Sequence, residues 1–223
     1  MQGIRTVADE HLFKGTTTIG MVCKDGVVLA TERRATAGSF IANKYAQKLF
    51  RIDSNLGMTI AGLVGDAQVL ARYLKAEVSL YRLRRNAPLT VEGGATLLSN
   101  ILSGNRMFPY YAWLILGGVD QKGGHVFSVD PAGGSMEDKF VSVGSGSTFV
   151  YGLLEEGYSR DITISDAVDL ALRGLTVAMK RDSASGDGYL VSTITPKDFK
   201  EYTEEEINKR LKALKIPAPP ALA

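Results

Sequence analysis

Residues 16–31 read TTTIGMVCKDGVVLAT, and this stretch decides the fold. Its first half, 16–23, joins three threonines to Ile19, Met21 and Val22, residue types that suit a pleated, half-buried surface. Lys24-Asp25-Gly26 then reverses the chain, because Asp-Gly readily takes positive φ. Residues 27–31 are a continuous apolar run, the pattern expected of a strand buried on both faces. Residues 48–52 and 57–62 read as two further strands, so the early chain is antiparallel β.

Further on, the period changes. Over 66–84, Ala67, Leu70, Ala71, Leu74, Val78 and Tyr81 share one helical stripe. Arg82, Arg84 and Arg85 close that helix as a solvated end, where cations suit the dipole. A second helix over 91–102 has Pro88 ahead of it and Thr90 as N-cap. Residues 112–119 and 125–129 form a hairpin, and 141–143 lead into the turn Gly144-Ser145-Gly146-Ser147. A short helix spans 149–156. Thr163 and Asp166 box the next helix, whose stripe is Val168, Ala171, Leu172, Leu175 and Met179. Residues 189–195 are the last strand. Thr203 and Glu206 box a final helix carrying Ile207, Leu211 and Leu214, and Pro217, Pro219 and Pro220 mark a loose tail from about 215. Strands and helices come in blocks, which predicts a single α+β layered domain and argues against a doubly wound parallel sheet.

The 223 residues suffice for one well-buried core, and 45% hydrophobic with 22% charged residues is ordinary for a globular chain. A net charge of +2 gives no electrostatic footprint for nucleic acid. One cysteine, Cys23, excludes an internal disulfide and makes a thiolate metal site untenable. The two histidines, His11 and His125, lie near no nucleophile motif, which counts against a Ser-His-Asp machine. No apolar run approaches a membrane span, and residues 1–15 lack the apolar core of a secretory signal, so a cytoplasmic protein is expected.

Five segments stand in a fixed order: GTTTIG at 15–20, ATERRAT at 30–36, TIAGLVGDAQ at 59–68, GSGS at 144–147 and RDSASG at 181–186. With them the chain closely resembles the proteasome β-subunit family, its archaeal type in particular, over about residues 15–194. The resemblance implies a four-layer αββα N-terminal-nucleophile hydrolase sandwich with antiparallel sheets. It implies a threonine endopeptidase whose nucleophile, Thr16, is exposed when the Gly15–Thr16 bond is cut autocatalytically, so that 1–15 is a propeptide and 16–223 the peptidase.

The chemistry suits those residues. A threonine hydroxyl is a weak nucleophile until a base takes its proton, and an N-terminal threonine carries its own base. An α-amino group with a pKa of about 7.7–8.0 is partly neutral near pH 7. In the precursor that nitrogen is an amide, so latency is covalent. Gly15, lacking a side chain, lets the Thr16 hydroxyl approach the preceding carbonyl. By the resemblance, Lys48 sits close to the Thr16 hydroxyl and steadies the developing alkoxide, and Glu32 pairs with it. Glu stands there where many β-type members have Asp, retaining the charge. Asp182, Ser185 and Ser145 orient the new amino terminus, and the Gly62 N–H meets the oxyanion.

An extended peptide is expected to add as a strand against the segments holding Thr36, Gly62 and Val64, a mode nearly blind to sequence. The same resemblance places Ala35, Ala46, Phe50, Ile60, Val64 and Gln68 around a largely apolar side-chain pocket, which implies cleavage after hydrophobic residues. The family further implies α-type subunits, seven-membered β rings, an ATP-driven unfoldase and unfolded protein substrates, with no metal or organic cofactor. An α-type chain would need an extra N-terminal helix, and a silent β-type chain would have lost Thr16, Lys48 or Asp182. Over a different N-terminal-nucleophile hydrolase, such as the bacterial two-ring threonine peptidase or a small-molecule amidase, TIAGLVGDAQ and RDSASGD favour the proteasome type. A binding or structural module unrelated to catalysis would leave all five segments unexplained.

Overall fold

The computed structural model describes residues 15–218; the leader up to Lys14, His11 included, and Pro219 and Pro220 lie outside the described residues. The chain opens with β1 (Thr17–Cys23), β2 (Gly26–Glu32), β3 (Ala35–Ala37), β4 (Phe40–Asn43), β5 (Leu49–Asp53) and β6 (Leu56–Gly62). Helices α1 (Val64–Arg85) and α2 (Val91–Gly104) follow. Then come β7 (Ala112–Asp120), β8 (Gly123–Val129), β9 (Ser135–Asp138) and β10 (Phe140–Gly144). The last third holds α3 (Ser147–Gly157), α4 (Ile164–Arg181), β11 (Tyr189–Ile194), β12 (Phe199–Glu201) and α5 (Glu204–Ala213).

Two five-stranded sheets result, ordered β10-β1-β2-β11-β12 and β5-β6-β7-β8-β9, with every pairing antiparallel. Alternation along the strands explains why they stack between helices. On β1 and β2, Ile19, Met21, Val28 and Ala30 turn to α3, α4 and α5, where Val150, Leu154, Val168, Leu172 and Leu211 meet them. The neighbouring Val27 and Leu29 turn the other way and pack with Ile115, Val126 and Ile194 between the sheets. The second sheet sends Met58, Ile60, Leu114 and Leu116 to Leu70, Leu74, Leu98 and Leu102 of α1 and α2. The order of layers is therefore helix, sheet, sheet, helix, and the apolar run over 27–31 is buried on both faces as expected.

Thr90 and Thr163 accept the N–H of Gly93 and Asp166 as N-caps, and Thr203 with Glu206 forms the expected reciprocal box. At Thr163 the expected box does not close: the Asp166 carboxylate takes the Thr163 hydroxyl, 2.7 Å away, and not its backbone N–H. Tyr81 corrects the predicted stripe of α1: it is 39% exposed, and no residue of the helix beyond Val78 is buried. On α4, Ala178 takes the buried place assigned to Met179, which is only partly covered. Four short strands went unforeseen: β3, β4, β9 and β12. The expected loose tail is still anchored at Ile216, whose N–H bonds the Leu211 carbonyl at 2.9 Å and whose side chain packs on the first core.

Cys23 ends β1, almost fully buried, and burial with nearby Asp25 pushes its thiol up to about 12. At pH 8 it should react with a disulfide reagent on the order of a thousandfold more slowly than a free cysteine, and at full speed once unfolded. Rapid modification of the native chain would contradict this burial.

Candidate active site

The site lies where β1 begins. Gly15 fits there because it has no side chain: a Cβ would fall 2.4 Å from that of Ala184 and 2.8 Å from the Ala184 carbonyl. Thr16 is only 2% exposed, and its hydroxyl donates to the carbonyl of Gly15, the preceding peptide. Its backbone passes close under the end of β10. Gly144, at φ 104°, would put a Cβ 1.9 Å from the Thr16 carbonyl oxygen, so only glycine admits this approach.

The backbone N–H of Thr16 points to Ser145 Oγ at 3.4 Å. From there a chain of hydroxyls and one carboxylate runs inward. Ser145 Oγ donates to Asp182 Oδ2 at 2.5 Å, and Ser185 Oγ donates to the same oxygen at 2.7 Å. Ser185 Oγ also lies 2.7 Å from Thr17 Oγ1. Asp182 is fixed by being the C-cap of α4: its N–H bonds Ala178, and its other carboxylate oxygen takes the Ala184 N–H at 3.1 Å. Ser145 stands in the turn ahead of α3. Two helix ends and a strand start thus meet at one nitrogen.

On the other side, Lys48 and Glu32 form an ion pair buried to within 1% of full cover. Lys48 Nζ donates to Glu32 Oε1 and to the Arg34 carbonyl. The carboxylate also accepts the N–H groups of Thr17 (3.3 Å), Arg34 (2.6 Å) and Gly186 (2.9 Å). Burial pushes the Glu32 carboxyl up and pulls the Lys48 ammonium down, and their mutual attraction opposes both shifts. The lysine therefore gives up a proton more readily than a surface lysine would. The Thr16 hydroxyl bonds Gly15, and Lys48, expected close to it, is joined to the same segment through Glu32 and the Thr17 N–H.

Gly62 ends β6 at φ 110° and borders both openings of the site with Gly15. One opening, about 240 Å3, is lined by Ala35, Thr36, Val64 and Gly65. The other, about 560 Å3, is walled by Ala61, Trp113, Val143, Gly144 and Ser145 around Thr16. Of the expected pocket residues, Ala35, Thr36 and Val64 line the smaller opening. Ala46 and Ile60 are buried, Phe50 packs against the core of the second sheet, and Gln68 is exposed on α1. His125 lines neither opening, bonding Glu137 at 2.5 Å.

Three residues of this site carried no separate role in the sequence reading: Thr17, Arg34 and Trp113. A signal existed for Trp113, the chain's one tryptophan, which is 43% exposed on a strand whose next residues are all buried.

What the arrangement offers is a hydroxyl on the carbonyl of its own preceding peptide, a serine hydroxyl at its nitrogen backed by a carboxylate, and a buried Lys48–Glu32 pair joined to the same segment. The sequence profile of the family described as "Proteasome subunit" matches residues 12–194. A protein of Ferroglobus placidus is 52% identical over 207 residues, spanning 92% of this chain and 99% of its own. Counterparts from Methanothermobacter thermautotrophicus and Thermoplasma acidophilum are 50% and 51% identical over the same 92% of this chain, and over 99% and 98% of their own. All three bear the name "Proteasome subunit beta". With its site geometry and this extent of likeness, the chain belongs to the proteasome subunit family.

Proposed function

We propose that the chain is a β-type proteasome subunit, a threonine endopeptidase made as a precursor and matured by cutting the Gly15–Thr16 bond. The observation that carries this is the Thr16 hydroxyl engaged with the Gly15 carbonyl while the Thr16 nitrogen faces the Ser145–Asp182–Ser185 chain.

In maturation, Thr16 Oγ adds to the Gly15 carbonyl carbon and gives up its proton. The C–N bond then breaks and the nitrogen takes a proton, leaving an ester on Thr16. Breaking the C–N bond has already freed the Thr16 amine; water then hydrolyses the ester, releasing residues 1–15 with a carboxylate on Gly15 and restoring the Thr16 hydroxyl. In turnover, that amine takes the hydroxyl proton as Oγ attacks a peptide carbonyl, and hands it to the leaving amine; water then hydrolyses the ester on Oγ, releasing the other product as a carboxylate and restoring the hydroxyl. Ser145, Asp182 and Ser185 orient the amine. The Gly62 N–H meets the oxyanion, and the Lys48 charge, held by Glu32, steadies the alkoxide. Burial of Lys48 supports this role, since the field of a cation is stronger away from water.

Substrate enters extended along Thr36, Gly62 and Val64. The uncharged opening at Ala35 and Val64 supports cleavage after hydrophobic residues; Ala46, Phe50, Ile60 and Gln68 lie outside its lining. The subunit works in the cytoplasm inside seven-membered β rings capped by α-type subunits, on unfolded proteins fed by an ATP-driven unfoldase. Among the described residues no helix is long and apolar enough to cross a membrane.

Intact mass after mixing with an α-type partner tests the reading. Loss of residues 1–15 is the expected result. An unchanged mass in a fully assembled particle would make the chain a silent structural subunit.

A further inference from the structure

Arg34 touches both halves of the site. Its backbone N–H donates to Glu32 Oε2 at 2.6 Å, and its carbonyl accepts from Lys48 Nζ. Its guanidinium reaches in another direction. Nε and Nη2 grip Asp187 Oδ2 and Oδ1 at 2.6 and 3.2 Å, and Nη1 donates to the Ser183 carbonyl at 2.8 Å. Ser183 and Asp187 flank Ser185, so one side chain holds both ends of the turn that presents Ser185 to Asp182.

Two further features show how tightly this turn is seated. The guanidinium lies against Gly186, where a Cβ would fall 2.4 Å from Arg34 Cζ. Asp187 sits at φ 65°, a conformation uncommon outside glycine, and the two-point grip on its carboxylate holds it there. The pair is sheltered, with side chains 20% and 11% exposed. Gly186 in turn donates its N–H to Glu32 Oε2, closing the loop between turn and ion pair.

We propose that Arg34 is a positioning residue: its main chain fixes the Glu32–Lys48 pair, and its guanidinium, clamped on Asp187 and Ser183, sets Ser185 and Asp182 against the Thr16 nitrogen. This rests on the threonine-peptidase reading above. Lysine cannot replace it, because an ammonium keeps the charge and loses the planar fork. A shift of about 1 Å in a catalytic constellation costs on the order of a hundredfold in rate. The loss should fall on kcat, since Arg34 lines neither opening through which peptide binds.

The test uses Arg34→Lys, Asp187→Asn and the double variant, each assembled with the α-type partner and assayed on a fluorogenic peptide with an apolar residue before the cut. Each single variant should lose about tenfold to a hundredfold in kcat, with KM within about twofold. The double should be no slower than the slower single, because both changes break one clamp. Should Arg34→Lys fail to assemble, Asp187→Asn decides alone, being nearly isosteric. A kcat within twofold of wild type in the assembled singles, or losses that multiply in the double, would overturn the clamp. Wild-type turnover that vanishes in Thr16→Ala, measured alongside, reports separately on the peptidase reading. If the wild type itself is inert, that reading falls and the clamp's catalytic role falls with it.

Discussion

Thr16→Ala should leave residues 1–15 attached in the assembled particle and reduce peptide hydrolysis to background, a loss on the order of a millionfold in kcat for a covalent hydrolase without its nucleophile. Both effects follow from one atom. The hydroxyl that bonds the Gly15 carbonyl in the precursor is the atom that would attack it. The fold should tolerate the change, because Thr16 precedes β1 and its side chain belongs to none of the three apolar cores. Thr16→Ser is the informative partner, since it retains both hydroxyl and nitrogen and should still be processed and active. Intact mass and fluorogenic peptide turnover check the pair. Processing or turnover in Thr16→Ala would remove Thr16 as nucleophile and pass the role to another group.

Why the site could be read so far from sequence is instructive. Glu32, Lys48, Ser145, Asp182 and Ser185 converge on the 15–17 segment, although Thr16 and Ser145 are 129 positions apart. Nothing local brings them together. Their order in the five segments pointed to the family, and the family supplied the convergence. Arg34 was part of the same ERRAT segment and stayed without a role, because its meaning lies in a contact with Asp187, 153 positions away. The helices and the central strands were legible because burial imposes a period on them. The strands β3 and β9 have few or no buried residues, so no pattern marked them. The end of α1 misled for the opposite reason: its period continued to Tyr81, although burial along the helix stops at Val78. Pocket lining was the least legible feature, since Ile60 and Ala46 lie on the right segments yet are buried.

The second large effect is expected at Lys48. Lys48→Met leaves the Glu32 carboxylate buried without its cation, and breaking a buried pair in this way costs about 3–5 kcal/mol of stability. The loss should depend on pH, with a definite sign. Burial already holds Glu32 above its ordinary 4.5 with Lys48 in place, and removing the ammonium raises it further. Below pH 4.5 the folded and unfolded chains both carry the proton, so the variant suffers least there. As pH rises beyond that value the unfolded chain ionises first, and the fold loses stability until pH passes the raised folded value. Thermal melts of wild type and variant should therefore diverge progressively as pH rises above about 4.5. Turnover separates this structural loss from the chemical one. The double variant Lys48→Met with Glu32→Gln removes the stranded charge and should recover most of the stability. It should remain slower than wild type by about a hundredfold to a thousandfold, because no cation is left to steady the alkoxide. If the double variant regained turnover along with stability, Lys48 would be a scaffold for Glu32 and Arg34, and the electrostatic role assigned to it would be wrong.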